Sequence, residues 1–531
     1  MTKLKTLLFK KDDAAGLETA ADILKNGGLV AMPTETVYGL AANALDGSAV
    51  AKIFKAKGRP MDNPLIVHIG KFEEIYPLVQ SVPERAKALA NAYWPGPLTI
   101  ILPKSDLIPD EVSAGLSTVA VRMPSHPTAH ELIEKSGCPL AAPSANSSGL
   151  PSPTTAQHVI DDMDGKIDAI IDGGECAVGI ESTVVTLATD VPKLLRPGGI
   201  THAQLEAVLG KVDIDPAVLA QLEEGVKPAS PGMKYKHYSP KAEVFIVKGS
   251  LPSFKFYIDS VNQEGDMVLC FSGEEDNISV PCLPFGNEDN SLEQAQRIFA
   301  DLRRFDELGA KRVFVRSPSQ EGVGLGVYNR LLRAAAFKVI TPPVIYGLTG
   351  QTGAGKTTVA EHLNEKGYLI IDCDKIARKV VEKGSPVLNK LKAAFGDDIL
   401  DTDGNLIRSV LAKKAFADEE SRQKLNSITH PAITEMTVKE INNNYDDHKG
   451  VVIDAAVIFD SELARYCTQM IVVTAPEAER LKRIVSRDGI DESAAMLRIK
   501  AQPDEEYYKG MADILVRNYE PYVISDELME L

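Results

Sequence analysis

Between an apolar stretch that starts at Val344 and a helix-forming stretch lies a glycine-rich run, Gly350-Gln351-Thr352-Gly353-Ala354-Gly355-Lys356-Thr357-Thr358. It fits the pattern G-x-x-x-x-G-K-[ST], and a preceding strand with a following helix is the setting in which such a loop wraps a polyphosphate. The glycines let backbone N–H groups point inward, Lys356 carries a cation to the outer phosphates, and the Thr357 hydroxyl is offered to Mg²⁺. Nucleotide-phosphate binding is therefore expected at Gly350, Gly353, Ala354, Gly355, Lys356, Thr357 and Thr358. A glycine turn matching by chance is the competing reading, and both flanks argue against it. With the loop beginning at Gly350 of 531 residues, a nucleotide domain fits behind it and a separate, larger body must precede it.

The length suggests three or four domains, and 44% apolar with 25% charged residues is the composition of ordinary globular protein. A formal charge of −16 argues against a surface that coats nucleic acid and favours small anionic substrates met by local cations. No apolar segment is long enough to span a bilayer, and the run after Met1 is too short for a signal peptide, so a cytoplasmic protein without membrane contact is expected. The six cysteines, at 138, 176, 270, 282, 373 and 467, show no C-x-x-C and no zinc-type spacing with histidine. Reduced core thiols and no structural metal are expected.

Texture divides the chain. Strand-like and helical runs alternate over 1–212, and a segment over 213–240 ends in prolines, glycine and aromatics, which reads as a decorated linker. Residues 241–341 hold strand-like runs at Val244–Val247, Met267–Cys270 and Arg312–Val315 around an amphipathic helix near Leu292–Leu308. There the run Gly322, Gly324, Gly326 has the wrong spacing for a dinucleotide fingerprint and reads as a tight turn before a helix over Val327–Phe337. Pro342-Pro343 opens the phosphate-loop domain, 342–531.

In that last domain a buried-type strand runs into Asp372 and Asp374, which at i and i+2 on a strand would share one face. Carboxyl ends of strands line the crevice of an open α/β sheet, so Asp374 is placed to orient and deprotonate an acceptor hydroxyl near the γ-phosphate. A helix N-cap is its alternative role. A second strand, Val451–Ile453, ends at Asp454, as a Walker-B-like carboxylate would. Arg480, Arg483 and Arg487 fall near one helix face, suited to transition-state charge or to a solvated basic face. A guanine-reading N-K-x-D is lacking, since Asn389-Lys390 is followed by no acid at Lys392.

Taken with Asp403-Gly404-Asn405, Leu425 to Pro431, Arg487-Asp488-Gly489 and Arg498 to Gln502, these motifs resemble dephospho-coenzyme A kinase over essentially all of 344–520. The resemblance implies transfer of the ATP γ-phosphate to the ribose 3′-hydroxyl of dephospho-CoA, with Lys356, Asp374 and Arg487 as catalytic residues. Where that family usually shows proline and glutamate after the Walker-B-like strand, this chain has Asp454-Ala455-Ala456-Val457-Ile458-Phe459-Asp460.

Three polar clusters mark the first domain: Pro33 to Leu40, Lys52 to Pro60, and Ala141 to Asn146. The second puts four cations, Lys52, Lys55, Lys57 and Arg59, within eight residues beside Gly58 and Pro60, which suits a polyphosphate or, more plainly, a solvated helix end. Arg122 and Arg196, each near a proline after a β-like run, can add charge at strand ends. Together the clusters resemble the YrdC-like threonylcarbamoyl-AMP synthases, whose K-x-R and S-x-N signatures stand here as Lys57-Gly58-Arg59 and Ser144-Ala145-Asn146. The likeness runs on through Trp94 to Thr99, Gly179 to Val184, the linker at Pro231–Tyr238 and the following domain, the long form of that family.

The resemblance implies synthesis of threonylcarbamoyl-AMP from L-threonine, bicarbonate and ATP with release of pyrophosphate, for modification of an adenosine in tRNA. It assigns Lys57 and Arg59 to catalysis, and Arg59, Asn63, Thr118, Ser144, Asn146, Ser152, Arg196 and Tyr235 to ATP. Thr36, His68, Arg122 and Ser182 go to threonine; alone, His68 would read as a satisfied core histidine. The linker would cover the active site, ATP with Mg²⁺ is expected at both sites, and a tRNA or tRNA-modifying complex is a candidate downstream partner.

The expected fold is α/β throughout: a twisted mixed α/β domain, a small Rossmann-like domain, and a phosphate-loop kinase with a parallel sheet flanked by helices. The alternative is an RNA-binding module fused to a nucleotide-sensing or small-molecule kinase domain. Binding would then weaken steeply with salt and need no threonine.

Overall fold

The computed structural model describes residues 5–221 and 238–519. The chain forms two compact units, Met1–Lys248 with Gln263–Ile340, and Gly249–Asn262 with Thr341–Leu531. No helix among the described residues is long and apolar enough to cross a membrane.

In the first unit, short apolar runs bounded by Gly, Pro and Asp give β1 Leu7–Lys10, β2 Val30–Met32, β3 Gly39–Asn43, β4 Ile66–His68, β5 Leu98–Pro103 and β6 Thr118–Arg122. They continue as β7 Leu140–Ala141, β8 Ala169–Asp172, β9 Thr183–Thr186, β10 Lys193–Arg196 and β11 Asp213–Ile214. All eleven join one mixed sheet in the order β1-β8-β2-β3-β7-β4-β6-β5-β9-β10-β11. Parallel β4–β6 and antiparallel β5–β6 pairing aligns His68 with Arg122 and Arg122 with Thr99. Residues 213 and 214, expected in the linker, instead extend this sheet by pairing with β10.

A second, five-stranded sheet in the same unit is all parallel: β12 Glu243–Val247, β13 Asp266–Cys270, β14 Cys282–Pro284, β15 Arg312–Arg316 and β16 Val339–Ile340, ordered β14-β13-β15-β12-β16. The amphipathic helix spans Ser291–Glu307, started by the Asn290 side chain accepting from Glu293 N. The helix expected over Val327–Phe337 begins three residues earlier, at Gly324, and ends at Ala334. Gly324 and Gly326 are thus in its first turn rather than in a turn before it. The reason is packing: a Cβ on Gly326 would sit 3.3 Å from the Gly198 Cα, so the missing side chains let this helix press against the first sheet's loops.

The second unit carries a parallel sheet ordered β18-β19-β17-β20-β21, from β17 Ile345–Gly350, β18 Leu369–Asp372, β19 Val451–Asp454, β20 Gln469–Thr474 and β21 Ile514–Arg517. β17 is buried throughout, as its uninterrupted apolar run requires of a central parallel strand. Helix Leu251–Val261, from the stretch expected to be wholly part of the small domain, groups with this unit. Its Phe256 meets Tyr466 edge-on at 5.5 Å, and Asp259 pairs with Arg465 at 3.1 Å.

Candidate active sites

The helix Gly47–Lys57 places the first cluster of cations. Asp46 caps its start through Ser48 N and Ala49 N, and Gly58, at φ 64°, ends it in the left-handed conformation that glycine adopts without cost. Lys57 therefore sits in the last turn, where the helix dipole favours a cation, and Arg59 follows around the corner. The Lys57 ammonium is buried and donates to the carbonyls of Ser144 and, at 2.6 Å, Asn146. Burial, helped by the charge of Arg59, holds its pKa well below the usual lysine value.

Opposite, the turn between β2 and β3 is closed by the Thr34 hydroxyl, which donates to Val37 O at 2.6 Å and accepts from Thr36 N and Val37 N. This presents Thr36 inward. Arg122, at the end of β6, donates to Thr36 Oγ1 at 2.9 Å and to Glu35 Oε1 at 2.7 Å. Burial pushes the Glu35 carboxyl up, but the charge and hydrogen bond of Arg122 outweigh it and leave the pKa below its ordinary value. His68 is buried, with Nδ1 3.2 Å from Ile66 O, and burial beside Arg122 drives its pKa to about 3. The ring is therefore neutral at ordinary pH.

Thr36, Lys57, Arg59, His68, Arg122, Ser144, Asn146, Ser182 and Arg196 all line one cavity, joined there by Glu181 and Tyr238. Ser144 donates to Asn146 Oδ1 at 2.6 Å, which locks the S-x-N pair into one surface. Arg196 donates from Nε to Ser182 O at 3.0 Å and from Nη2 to Ser182 Oγ at 3.1 Å. Burial lowers both Arg59 and Arg196 to about 10, and each remains a cation at neutral pH. Asn63 stands behind Arg59, whose Nη2 donates to its carbonyl at 3.2 Å. Ser152 reaches the wall indirectly by donating to Glu181.

Thr118 is not brought to this cavity. It begins β6 while Arg122 ends it, about 13 Å away at a strand's rise per residue. Tyr235 lies outside the described residues. Sequence reasoning missed Glu181 and Tyr238 as wall residues and Glu35 as the partner of Arg122 behind the wall; Glu35 and Glu181 each adjoin a named site residue, which was the one local signal available.

In the second unit the phosphate loop takes its shape from three glycines. A Cβ on Gly350 would meet Val473 O at 2.2 Å, one on Gly353 would meet Arg480 O at 2.8 Å, and one on Gly355 would meet Asn518 Nδ2 at 2.0 Å. Gly353 and Gly355 also take φ of 76° and 97°. Lys356 opens the helix Lys356–Glu365, and its Nζ lies 3.1 Å from Asp454 Oδ1. Burial, with Asp372 and Asp374 nearby, pushes the Asp454 pKa up against the pull of Lys356.

The strand β18 stops at Asp372, and Asp374 lies in the first turn of helix Cys373–Lys379, so the two carboxylates do not share a strand face. Asp372 is the cap, accepting from Lys375 N at 2.9 Å. That leaves Asp374 to face the cavity, which is lined by Gly350, Gly353, Gly355, Lys356, Thr357, Asp374, Arg483 and Arg487. Ala354 and Thr358 support the loop without lining the cavity. Arg483 binds the loop itself, donating to Ala354 O at 2.9 Å and Asn518 O at 2.7 Å. Arg487 is exposed and paired with Asp488 at 2.8 Å. A surface pair of this kind is screened by solvent and weak, which leaves Arg487 able to exchange it for a phosphate. Gln502, the last residue of the Arg498 to Gln502 run and given no site role from sequence, accepts from Thr352 N at 2.7 Å.

Chemically, the first cavity can gather a polyanion beside a small polar acid, and the second can hold a triphosphate next to a carboxylate base. Known proteins agree with that division. The family described as "Telomere recombination" matches residues 22–198, "Threonylcarbamoyl-AMP synthase, C-terminal domain" matches 200–336, and "Dephospho-CoA kinase" matches 344–522. The threonylcarbamoyl-AMP synthase of Pyrococcus abyssi is 47% identical over 61% of this chain and 95% of its own length. The dephospho-CoA kinase of Corynebacterium efficiens is 43% identical over 33% of this chain and 88% of its own. A solved structure of P. abyssi Sua5 complexed with L-threonine is similar at TM-score 0.60 and 44% identity, covering 63% of this chain and 99% of that one.

Proposed function

We propose that this chain, which belongs to the threonylcarbamoyl-AMP synthase family through its first unit's two sheets and to the dephospho-CoA kinase family through residues 344–522, runs both families' reactions at two separate sites. It is a bifunctional enzyme. One activity makes L-threonylcarbamoyladenylate from L-threonine, bicarbonate and ATP, releasing pyrophosphate; the other phosphorylates dephospho-CoA. The observation that carries the reading is the segregation of two cation-rich cavities, each inside its own unit.

In the synthase cavity, the threonine amine and bicarbonate condense to a carbamate with loss of water. A carbamate oxygen then bonds to the α-phosphorus as the bond to the pyrophosphate oxygen breaks. Thr36, His68 and Ser182 would seat threonine, with Arg122 holding Thr36 in place. A neutral His68 places no further charge beside the carboxylate of the substrate. Lys57, Arg59 and Arg196 would neutralise the triphosphate, and Ser144, Asn146, Asn63 and Ser152 would fix the nucleotide around them. Charges held in advance in a buried cavity act without reorganising as the reaction proceeds.

At the kinase site, the loop N–H groups and Lys356 would hold the β- and γ-phosphates. Mg²⁺ fits the hard oxygen donors Thr357 Oγ1 and Asp454, which would hold it with the phosphates and so neutralise their charge. Asp374 would accept the proton of the ribose 3′-hydroxyl as that oxygen bonds to the γ-phosphorus and ADP leaves, with Arg487 closing over the transferring group. In the synthase cavity the lining carboxylate, Glu181, is engaged by Arg330, and Glu35 behind the wall by Arg122. An ion entering there is therefore held by the triphosphate.

All six cysteines are free thiols, which suits a reducing cytoplasm. The activated product is handed to a tRNA-modifying partner, since the acyl phosphate must be consumed by an acceptor before water reaches it. Asp374→Asn is expected to lower kcat for ADP formation about 10²-fold, as loss of a general base does, while the KM for ATP changes little. Unchanged kcat in steady-state assays with dephospho-CoA would remove Asp374 from the mechanism.

A further inference from the structure

The helix Gly324–Ala334 carries an arginine, Arg330, with 0% exposure, whose fork reaches Glu181 on the synthase cavity's wall and Pro197 beside it, besides Asn329 Oδ1 on its own helix. Its Nε donates to Glu181 Oε2 at 2.8 Å and its Nη2 to Glu181 O at 3.1 Å. Its Nη1 donates to Pro197 O at 2.7 Å. One guanidinium from the small domain thus clamps two segments of the first sheet, the turn into β9 and the turn out of β10. Both lead directly to nucleotide-side residues. Glu181 Oε1 accepts from Ser152, and Pro197 follows Arg196, whose guanidinium is anchored on Ser182.

A buried ion pair of this kind is a poor source of stability, because desolvating both charges costs about what their attraction returns, and well-packed apolar side chains often serve better. What the fork supplies instead is geometry. A guanidinium fixes directions at several acceptors at once, whereas an ammonium is a point charge that fixes none. The approach needs a helix close against the loops, and Gly326 provides it, with Gly198 within 3.3 Å of where its Cβ would be. The same helix is held to the turn after β11 by Asn329 Nδ2 donating to Val218 O at 2.7 Å and by Arg333 donating to Ala217 O.

We infer that Arg330 is a positioning residue for the nucleotide side of the synthase cavity: through Glu181 and Pro197 it sets the places of Ser152 and Arg196, so the small domain completes a site it does not itself line. The inference rests on the reading of Ser152 and Arg196 as ATP-side residues. Of the threonine-side groups, Thr36 and His68 touch none of its acceptors, and Ser182 adjoins them only through the Glu181 carbonyl and Arg196, so the effect falls mainly on ATP.

The test uses the full chain and pyrophosphate release with threonine and ATP varied in turn, the kinase reaction of the same sample reporting the amount of active protein. Arg330→Lys is expected to raise the KM for ATP about tenfold and to raise the KM for threonine by a smaller factor. A merely structural role would shrink the folded fraction and lower apparent kcat with both KM values unchanged, and that result overturns the inference. Should Arg330→Lys fail to fold, the double variant Arg330→Gln with Glu181→Gln removes both buried charges together; a parental KM for ATP in that protein also overturns it. Arg196→Lys is the companion. If it leaves the KM for ATP unmoved, the ATP-side reading has failed; if it raises that KM while Arg330→Lys does not, only the positioning role has.

Discussion

Lys356→Ala is expected to lower ADP formation from dephospho-CoA about 10³-fold or more in kcat and to leave pyrophosphate release from threonine, bicarbonate and ATP at the parental rate. The size follows from what the ammonium faces. Charge spreads over the transferring phosphoryl group, the neighbouring Arg483 is spent on Ala354 O and Asn518 O and Arg487 is paired with Asp488, and removing one preorganised donor costs about 10²–10³-fold in comparable sites. Lys356 also pairs with Asp454 at 3.1 Å, so its loss leaves Mg²⁺ alone to offset that carboxylate beside an anionic substrate, which adds to the lost attraction. Because Asp454 keeps partial contact with solvent, the fold should tolerate the change. The measurement is a pair of assays on one preparation, with thermal unfolding as the check on folding. Loss of both activities in a folded protein would mean that the two sites are not independent.

Arg59→Ala should do the reverse, cutting pyrophosphate release about 10³-fold while dephospho-CoA phosphorylation proceeds at the parental rate. Arg59 is held at the helix corner by the Asn63 carbonyl and stands over the Phe54 ring at 5.9 Å. It therefore meets the nucleotide already oriented. Alanine removes both the charge and the orientation, and no neighbour can substitute: Lys57 is tied to the Ser144 and Asn146 carbonyls, and Arg196 to Ser182. Arg59→Lys, which keeps charge but not the planar fork, should recover only a small part of the loss. Full synthase activity in Arg59→Ala, with threonine dependence intact, would take Arg59 out of the ATP site.

Much of both sites was legible because its causes are local. Gly58 ends a helix capped by Asp46, which fixes where Lys57 and Arg59 stand within a dozen residues of chain. The phosphate loop is likewise one strand, three obligatory glycines and one helix. Legibility failed where a local rule had two solutions. Asp372 and Asp374 could each cap the following helix, and the strand's end at Asp372, two residues before the end expected of a strand carrying both carboxylates, gave the cap to Asp372 and left Asp374 facing the cavity. Thr118 and Arg122 share a strand, yet only its final residue reaches the cavity, since a few residues of extended chain span the whole wall. The glycines near Gly324 looked like a turn because nothing local reveals that a second body must approach within contact of Gly198.

What the sequence by itself determined, then, is the chemistry of each site: a phosphate cradle at Gly350 to Thr358 and a cation corner at Lys57 and Arg59, set by turns, caps and apolar runs that act over a few residues. Tertiary structure alone decided which charges meet. Glu35 with Arg122 and Glu181 with Arg330 are separated by 87 and 149 positions, and a buried charge takes its partner from whatever the packed layers bring within about 3 Å, a distance that no spacing along the chain encodes.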